Sequence, residues 1–537
     1  MQSRHAHPRS RSSVGGRALA LPFGRILLTS LWAGAVGMLA DADGESLRLV
    51  PPSMDAGALF GTSVGVDDGV AIVGATVDDS TNGVDTGAAY LFDAETGELL
   101  WTLTPDDGET GDRFGMSVAI HSGVAVVGAE GDDDNGAESG SAYLFDVQTG
   151  RQLHKLLPPG GGPCEEFGNA VSIHGDRVVV AAFGDGDLGP EAGSVHVFDT
   201  ATGRHLRELH ASDGEAFDRF GFSVAVVGST AVVGATEDDD LGANAGAAYL
   251  FDVESGAQLA KLTDRLGGSV DQFGFTVGLS ETHALVGVFN GVQPGLEGGF
   301  AVLFDARSGL EVERLSPPDG FTADGFGRAV ALEGSTALVG APDDNTLGSN
   351  AGSAFLFSVP GSAFLRQVST EAASDGDLTG YAVAVSRDHA LVGAVLADDF
   401  GSNSGAAYLE PTARASVEAR NGSGVNAVLL GNVEDPVLGS SWEMTVDCSG
   451  HAPGVVAVPI YQLPDDGVFL AGGELLVDME SPLGAYCATV HASDLVRFVF
   501  PIPDRVELCG LACSAQAAVF GAPSYELSNA LDGVIGY

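Results

Sequence analysis

Positive charge is scarce in this sequence. Of its 537 residues, 24 are lysine or arginine and 73 are aspartate or glutamate, so the formal net charge is −49. Lysine occurs only as Lys155 and Lys261. Such a charge repels nucleic acid and anionic membrane surfaces, and it attracts metal cations and basic partners. The composition therefore argues against a nucleic-acid-binding role, with plain solubility in a salty exterior as the alternative explanation of the excess acid.

Long apolar runs are also missing after the N-terminal region. No later stretch approaches the ~20 apolar residues of a membrane-spanning helix. Near the N-terminus, arginines from Arg4 to Arg25 precede an apolar run at 26–40, and Ala40-Asp41-Ala42 fits a small-residue cleavage site. We predict that residues 1–42 are a signal peptide, with a retained anchor as the alternative. The mature protein would then have no transmembrane segment and would be secreted, at the cell surface or periplasmic.

Cysteine is rare and unevenly placed. One cysteine, Cys164, stands alone in an acidic loop and is predicted to be a free thiol. The other four lie near the C-terminus, at Cys448, Cys487, Cys509 and Cys513. In an exported chain they predict two disulfides with three possible connectivities, of which we favour Cys509–Cys513 and Cys448–Cys487. A zinc site is the alternative, because His451 and His491 closely follow Cys448 and Cys487.

No helical period is present between residues 60 and 410. Instead, a phenylalanine–glycine pair recurs at intervals of 53 or 54 residues, and about fourteen residues later an apolar run ends in Gly-Ala or a close relative. A seventh unit keeps the glycine, Gly380, but has Thr379 in place of phenylalanine. Seven units of one period indicate a repeat array. The six pairs begin at Phe60, Phe114, Phe167, Phe220, Phe273 and Phe326.

Each unit reads as four short strands. In the second unit the apolar runs are 114–120, 124–129, 140–146 and 151–157, with turn residues between them. Runs of this kind are typical of a four-stranded antiparallel propeller blade. The fourth strand follows only six of the seven units, whereas residues 46–52 resemble it and precede the first unit. We predict that this N-terminal strand pairs beside 405–410 and closes a seven-bladed ring over residues 46–410, since closure protects sheet edges.

The repeated residues resemble a known family. The Phe-Gly and Gly-Ala pairs at this spacing, followed by G-[AS]-A-Y-L-F-D, are similar to the FG-GAP repeats of integrin-α-type β-propellers, over about residues 46–410. The resemblance implies a propeller, often extracellular and often a recognition or adhesion platform of the secreted bacterial type. In that family, calcium-binding units carry a D-x-D-x-D-G loop between the two pairs. Here that interval holds short turns such as Asp67-Asp68-Gly69, so the family's calcium site does not carry over.

Acidic loops follow the Gly-Ala positions of six units. Hard cations such as calcium need several oxygens at once, and paired carboxylates with turn carbonyls can supply them. In a four-stranded meander these loops emerge on the same face as the loops between blades. We therefore predict one strongly acidic face with calcium as a candidate ion, and Asx-turns in solvated loops are the alternative. The candidate ligands are Asp78, Asp79, Asp132, Asp134, Asp185, Asp187, Asp238, Asp240, Asp343, Asp344, Asp398 and Asp399.

One motif imitates a catalytic site. The segment 61–65 matches G-x-S-x-G, the pattern around the nucleophile of serine hydrolases. Its counterparts in other units contain Ser117 or Ala170 at the serine position, so Ser63 is interpreted as a repeat residue. No zinc-protease, phosphate-binding or dinucleotide fingerprint is present.

The period stops after Leu409. We predict a polar linker at 411–424 and a separate β-rich module, a small β-sandwich, at 425–537, because short apolar runs alternate there with proline and glycine. Its ends are similar to a C-terminal module of secreted bacterial repeat proteins.

The sequence as a whole favours an all-β, non-catalytic binding or adhesion scaffold. Its ligand, an extracellular protein or polysaccharide, would lie over the acidic loops, with calcium as a possible aid. One alternative is a secreted hydrolase or lyase with carboxylates at the propeller axis, although no convergent set of acids is visible in the sequence. Another is a structural cell-surface component attached through the C-terminal module.

Overall fold

The strands of this protein assemble blade by blade. The computed structural model describes residues 46–412 except 52–53, 80–82, 266–267, 290–291, 294–295, 298, 318–323, 369–373 and 399–400, and the backbone of ten strands between 416 and 534. The predicted signal peptide lies outside the described residues. Within the described residues the structure has no helix that is long and apolar enough to span a membrane.

Seven four-stranded antiparallel sheets follow one another along residues 47–411, as predicted. The first strand is β1 (Leu47–Leu49). Blades 1 to 3 comprise β2 (Phe60–Asp67), β3 (Val70–Ala75), β4 (Ala88–Asp93), β5 (Leu99–Leu103), β6 (Phe114–His121), β7 (Val124–Ala129), β8 (Ser141–Asp146), β9 (Arg151–Leu156), β10 (Val171–His174), β11 (Arg177–Ala182), β12 (Ser194–Asp199) and β13 (His205–Leu209). Blades 4 and 5 comprise β14 (Phe220–Val227), β15 (Thr230–Ala235), β16 (Ala247–Asp252), β17 (Ala257–Leu262), β18 (Phe273–Leu279), β19 (His283–Val288), the short pair β20 (Val292–Gln293) and β21 (Leu296–Glu297), β22 (Phe300–Asp305) and β23 (Glu311–Leu315). Blades 6 and 7 comprise β24 (Ala329–Glu333), β25 (Thr336–Ala341), β26 (Ser353–Ser358), β27 (Ala363–Val368), β28 (Thr379–Val385), β29 (His389–Ala394) and β30 (Ala406–Pro411).

The N-terminal strand closes the ring, which confirms the prediction made from the strand count. Strand β1 is the fourth strand of blade 7 and pairs antiparallel with β30, with Leu47 opposite Leu409 and Leu49 opposite Ala407. Leu49 is fully buried in a cluster that joins blade 7 to blade 1. The early strand completes the four-stranded sheet of the last blade, and in doing so it links the two ends of the array.

The Phe-Gly pair joins neighbouring blades. The Phe114 ring is fully buried and meets Tyr143 and Phe145 edge-on, at centroid distances of 5.6 and 5.8 Å. Its backbone N–H donates to the Thr86 carbonyl of blade 1 at 2.9 Å. Gly115 follows at φ +90°, and a Cβ there would lie 2.3 Å from the Ala88 carbonyl oxygen. Glycine is required because only it combines this φ with such a close approach of two backbones.

The core lies between blades rather than within them. One cluster combines Ile72 and Leu91 of blade 1 with Phe114, Val127 and Tyr143 of blade 2, and similar clusters follow around the ring. The second and third strands of each blade are buried on both faces, which explains their continuous apolar runs. In blade 7 the fully buried Thr379 replaces the phenylalanine.

Ten further strands follow the propeller. They are β31 (Ser416–Arg420), β32 (Leu429–Glu434), β33 (Ser441–Asp447), β34 (Gly454–Tyr461), β35 (Pro464–Leu470), β36 (Gly473–Val477), β37 (Leu483–His491), β38 (Leu495–Pro501), β39 (Ala512–Phe520) and β40 (Tyr525–Val534). They pair in the orders β31-β40-β39-β34-β37, β32-β33-β38 and β35-β36. Packing of these sheets as a sandwich stays a prediction.

The cysteines fall in different parts of the described chain. Cys164 is exposed and unpaired, as predicted. Cys448 and Cys509 lie outside the described residues, and only the backbone is described for Cys487 in β37 and Cys513 in β39. The two disulfides, and the alternative zinc site, therefore stay predictions.

Candidate functional site

The blade topology gives the propeller two different faces. We call the face with the loops between second and third strands, and between successive blades, the acidic-loop face. We call the other, with the tight turns between first and second and between third and fourth strands, the hairpin face. The first strand of each blade lines the central axis. The predicted metal ligands that the structure describes belong to the acidic-loop face.

In five of the acidic loops, the aspartate at one shared position is a buried structural residue. Asp132 is 2% exposed, and its Oδ1 accepts the backbone N–H of Asp134 at 3.0 Å. Its Oδ2 accepts the Tyr143 hydroxyl at 2.8 Å. This is an Asx-turn that fixes the loop, the alternative to metal binding considered above. The equivalent buried aspartates are Asp78, Asp185, Asp238 and Asp344.

Both lysines of the chain occupy the centres of acidic loops. Lys155 Nζ lies 2.8 Å from Asp132 Oδ2, 2.6 Å from Asp134 Oδ2 and 2.9 Å from Asp107 Oδ2. Lys261 Nζ repeats the arrangement in blade 4, where it contacts Asp213, Asp238 and Asp240 at 3.0, 2.8 and 2.6 Å. The structure thus brings together two of the predicted ligands in each loop, around an ammonium group of the protein itself.

The lysine sets the charge state of its loop. Burial opposes ionisation of Asp132, but hydrogen bonds from Lys155, the Asp134 N–H and Tyr143 outweigh it and lower the pKa of Asp132. Burial also opposes the charged form of Lys155, yet the surrounding carboxylates raise the pKa of this lysine. A calcium ion at this position would have to displace the ammonium group.

The lysine-free loops hold their aspartates differently. Asp78 accepts the Tyr90 hydroxyl, and burial raises the pKa of Asp78. Asp344 accepts the Thr346 N–H and the Gln367 side-chain amide. Three other predicted ligands are less enclosed: Asp79 accepts the Asp85 N–H, Asp398 accepts the Asn403 N–H, and Asp343 is half-buried. Asp399 lies outside the described residues.

Blade 3 differs from its neighbours at the same place. Asp187 donates its backbone N–H to Asp185 Oδ1 at 2.8 Å, as in the other Asx-turns. No lysine is present, and Asp185 lies instead with His196 and Glu208. The donor atoms of these three residues all lie within 4.8 Å of one another.

The loops between blades also contain buried acids. Asp112 is 4% exposed and accepts the Glu109 backbone N–H at 2.7 Å, and Asp218 repeats this contact with Glu215. Burial raises the pKa of both carboxyls to about 6. Both groups are therefore ionised at neutral pH at a cost to the folded state.

The axis forms a pocket of about 310 Å³ at the acidic-loop face. One residue from each blade forms its rim, namely the residue that follows the Phe-Gly pair or, in blade 7, Thr379-Gly380. This residue differs from blade to blade, except that blades 4 and 5 both have phenylalanine. Glu130 and Phe183, which follow the second strand in their blades, also line the pocket. The ring residues are Thr62, Met116, Asn169, Phe222, Phe275, Arg328 and Tyr381.

Aromatic rings surround one arginine in this axial pocket. The Arg328 guanidinium carbon lies 4.1 Å from the Tyr381 ring centroid and 4.7 Å from that of Phe275. Phe289, whose ring centroid is 5.2 Å from that of Phe275, lies 5.8 Å from the same carbon. Burial lowers the pKa of Arg328, and the guanidinium group of arginine stays charged in proteins. Among the described residues no carboxylate forms an ion pair with this guanidinium, which leaves a half-buried cation at the axis of a strongly acidic protein.

The pocket walls also explain the G-x-S-x-G segment. Ser63 Oγ donates to the Gly115 carbonyl of the next blade at 2.8 Å, and Ser117 and Ser223 donate to Gly168 and Gly274 in the same way. The serine therefore joins adjacent inner strands, in agreement with its interpretation as a repeat residue.

A wider funnel of about 920 Å³ opens at the hairpin face. The imidazole rings of His121 and His174 stack there at 4.3 Å, and His121 Nδ1 lies 3.6 Å from Asp67 Oδ2. Burial and the neighbouring His121 lower the pKa of His174. Glu281 and Glu333 also line the funnel.

Both axial sets were missed by sequence reasoning. Consecutive ring residues of the pocket are 53 or 54 residues apart, the funnel residues also come from different blades, and only the closed ring brings either set together. One signal was present in the sequence: in the column after each Phe-Gly pair, the residue changes from unit to unit while the flanking positions repeat. Positions that vary within an otherwise regular repeat are the ones free to form a site.

Comparison with known proteins finds several similar chains. The chain is 29% identical over 136 residues to lupanine 17-hydroxylase [cytochrome c] of a Pseudomonas species, which is 24% of this chain and 18% of that protein. A europium-containing methanol dehydrogenase is similar with a TM-score of 0.36 at 10% identity, over 64% of this chain and 80% of that one. An exo-β-1,3-galactanase from Phanerochaete chrysosporium has a TM-score of 0.29 at 11% identity, over 92% and 99%. At TM-scores this low, the structural likenesses do not bear on activity.

The repeats themselves match a described family. Six segments match the FG-GAP repeat, at residues 44–92, 101–145, 151–198, 205–251, 310–357 and 369–409. Residues 252–309 fall outside these segments, although β18, β19 and β22 form most of blade 5 there. The matches cover slightly more than half of the chain, and this protein belongs to the FG-GAP repeat family.

Proposed function

We propose that this protein is a secreted or cell-surface binding scaffold, which holds an extracellular protein or polysaccharide over its acidic-loop face. The axial pocket would be the centre of contact. The observation that carries the proposal is the ring after the Phe-Gly pairs, in which aromatic, amide and guanidinium side chains converge although the surrounding repeat is regular.

The chemistry of the pocket suits a polyhydroxylated or peptide ligand. Half-buried Phe222, Phe275 and Tyr381 offer flat apolar surfaces, and Asn169 and Arg328 offer hydrogen-bond groups beside them. A few placed polar groups among apolar surfaces are typical of binding sites. The acidic loops around the pocket would repel nucleic acid and favour neutral or basic ligands.

Calcium remains part of the proposal for the loops without lysine. Asp78, Asp79, Asp343, Asp344 and Asp398 supply carboxylates on the acidic-loop face, and the ammonium groups of Lys155 and Lys261 already fill the loops of blades 2 and 4. A thermal melt of the mature protein in calcium, magnesium or chelator tests this part. A calcium-specific rise in melting temperature supports it, because a ligand of the folded state stabilises by mass action. Equal melts in all three conditions argue against it.

The binding proposal is tested on an array of neutral and acidic polysaccharides and of purified extracellular proteins. Wild type, Tyr381→Ala and Arg328→Ala are compared with Phe364→Ala, which removes an exposed ring from the outer strand of blade 6. We expect binding by wild type and Phe364→Ala, and at least a tenfold loss for the two pocket variants. Equal binding by all four proteins would rule out the axial pocket as the binding site.

The hairpin-face funnel favours a second candidate function, a hydrolase or lyase acting on a polysaccharide. Stacked His121 and His174 beside Asp67 provide an imidazole–carboxylate pair of the kind used in general acid–base catalysis. Release of reducing ends or unsaturated products from the same polysaccharides is the assay. Activity that is lost in His121→Gln and His174→Gln supports this function, and absence of turnover by the wild type rejects it for those substrates.

A further inference from the structure

Blades 2, 3 and 4 carry the same three-position cluster with different chemistry. In blades 2 and 4 a loop aspartate meets a tyrosine on the third strand and a lysine opposite it on the fourth, as in Asp132, Tyr143 and Lys155. In blade 3 the register is identical, since His196 lies opposite Glu208 as Tyr143 lies opposite Lys155. The tyrosine has become an imidazole, and the lysine has become a carboxylate.

This exchange converts a filled site into an open donor set. In blades 2 and 4 the carboxylates surround an ammonium group at 2.6–3.0 Å. In blade 3 the lysine is replaced by Glu208, so a further carboxylate takes the position of the ammonium group. One donor atom each from Asp185, His196 and Glu208 lies within 4.8 Å of the others. Ligands at ~2.0–2.2 Å from one metal ion are at most ~4.4 Å apart, so a small movement of the exposed Glu208 side chain brings all three within reach of one ion.

We propose that Asp185, His196 and Glu208 form a binding site for a first-row transition-metal dication, with zinc as the ion to test. An imidazole among the donors favours zinc and its neighbours over calcium or magnesium, which prefer oxygen ligands alone. Asp185 and His196 are buried, whereas Glu208 faces solvent. The ion would thus have two fixed ligands, one ligand at the entrance and room for water, the arrangement of zinc sites with an open position.

Neighbouring groups hold all three donors in place. His196 Nδ1 lies 3.2 Å from His205 Nε2, and His196 Nε2 lies 3.1 Å from Ser194 Oγ, so two neighbours fix the orientation of this imidazole. Asp185 Oδ1 accepts the Asp187 N–H at 2.8 Å, and Glu208 Oε1 lies 3.1 Å from His210 Nε2. Outer contacts of this kind orient metal ligands and strengthen binding. The site is on the outer part of one blade and is separate from the axial pocket of the proposed function.

The test measures zinc bound per chain of the mature protein by equilibrium dialysis with elemental analysis. The matched variant is His196→Tyr/Glu208→Lys, which gives blade 3 the residues of blades 2 and 4. We expect this variant to fold with the wild-type circular dichroism spectrum and to bind one zinc fewer. The blade 3 site has no cysteine ligand, so cobalt bound there in place of zinc should give no thiolate-to-cobalt charge-transfer band. Cobalt bound by the C-terminal cysteines would give such a band, and the spectrum therefore distinguishes the two sites.

A gain-of-site variant keeps the test decisive if the first one misfolds. Tyr143→His/Lys155→Glu gives blade 2 the donor set of blade 3, beside Asp132, and we expect it to bind one additional zinc. Zinc should also raise the melting temperature of the wild type but not that of His196→Tyr/Glu208→Lys. Equal zinc content in wild type and the blade 3 variant, or no extra zinc in the blade 2 variant when the blade 3 variant does not fold, would overturn the proposal.

Discussion

At the scale of single residues, the acidic loops depend on which cation neutralises them. Lys155 and Lys261 are the only lysines of the chain, and each is held by three carboxylates. Each Nζ also lies over a tyrosine ring, 5.2 Å from the Tyr143 centroid for Lys155 and 5.3 Å from the Tyr249 centroid for Lys261. A lysine in such a position is a structural counter-ion, and it removes its loop from the set that could bind an external metal without rearrangement.

The first prediction concerns Lys155→Met. Because Asp132 is buried, loss of the ammonium group leaves its charge uncompensated, and we expect a destabilisation of roughly 3 kcal/mol in urea unfolding at pH 7. The loss should shrink as the pH falls through the lowered pKa of Asp132, because a protonated carboxyl needs no counter-ion. Arg151→Met, an exposed change on the same strand, is the control and should stay within about 0.5 kcal/mol of wild type. Equal stability of both variants would contradict this role for the lysine.

The second prediction concerns the buried aspartates between blades. Since burial raises the pKa of folded Asp112 to about 6, its stabilising contribution is present below the ordinary aspartate pKa and is lost as the pH rises through about 6. Asp112→Asn should therefore be more stable than wild type at pH 8, by at most about 3 kcal/mol. The advantage should vanish at pH 3.5, and Asp218→Asn should behave alike. A variant that is less stable than wild type at pH 8 would show that the carboxylate makes a contact the amide cannot replace.

Some of this residue-level chemistry was accessible from the sequence and some was not. The acidic loops and the structural role of Ser63 were recognised because they recur with the period. The partnership of Asp132 with Lys155 was not recognised, because the two residues are on different elements and meet only when β8 pairs with β9. For the same reason, the difference between His196 and Tyr143 gained meaning only once the strand register was known.

At the scale of elements, the Phe-Gly pair determines how one blade meets the next. A register shift follows Phe114 in the pairing of β6 with β7, and Ser117 rather than the residue after Phe114 opposes Gly128. This bulge turns the intervening residues away from the ladder, and Met116 reaches the axial pocket. The strand pattern predicted the strands themselves, but a bulge of this kind cannot be read from alternation alone. The direction of the ring residues was therefore not predictable.

The third prediction compares two glycines in the same blade. Gly115 and Gly123 both have positive φ, at +90° and +80°, but an added Cβ would lie 2.3 Å from the Ala88 oxygen at Gly115 and would meet nothing within 4 Å at Gly123. We expect Gly115→Ala to lower the unfolding free energy by at least about 3 kcal/mol, because backbone atoms of two blades must separate. Gly123→Ala should cost about 1 kcal/mol from the backbone conformation alone. Thermal melts of the two variants measure the difference, and similar melting temperatures would argue against a close contact between blades.

At the scale of the whole molecule, closure of the ring creates the axis and therefore both axial sites. Counting the strands of each unit predicted the closing strand correctly. The last unit lacks a fourth strand, and one extra strand precedes the first unit, so the extra strand can fill the missing position. The axial pocket and the funnel could not be predicted by counting strands. They depend on seven first strands meeting around one axis, a property of the closed assembly.

The fourth prediction tests closure. Leu49 of β1 is fully buried between blades 7 and 1, so Leu49→Ala should destabilise the protein by about 2–5 kcal/mol. Leu153→Ala removes a leucine of the same size that is 43% exposed on the outer strand of blade 2, and it should have little effect. Chemical unfolding provides the comparison. If both variants unfold at the wild-type denaturant concentration, β1 does not stabilise the ring.

The most direct test of the central claim, ligand binding at the axial pocket, is hydrogen exchange by mass spectrometry. The mature protein would be measured alone and with a saturating polysaccharide or protein that the array identifies. We predict slower exchange in segments that carry the ring, such as 62–64, 116–118, 275–277 and 381–383, with the outer strands unchanged. Protection confined to the hairpin-face turns, or to the strands after residue 416, would contradict the claim and move the binding site to the funnel or to the C-terminal strands.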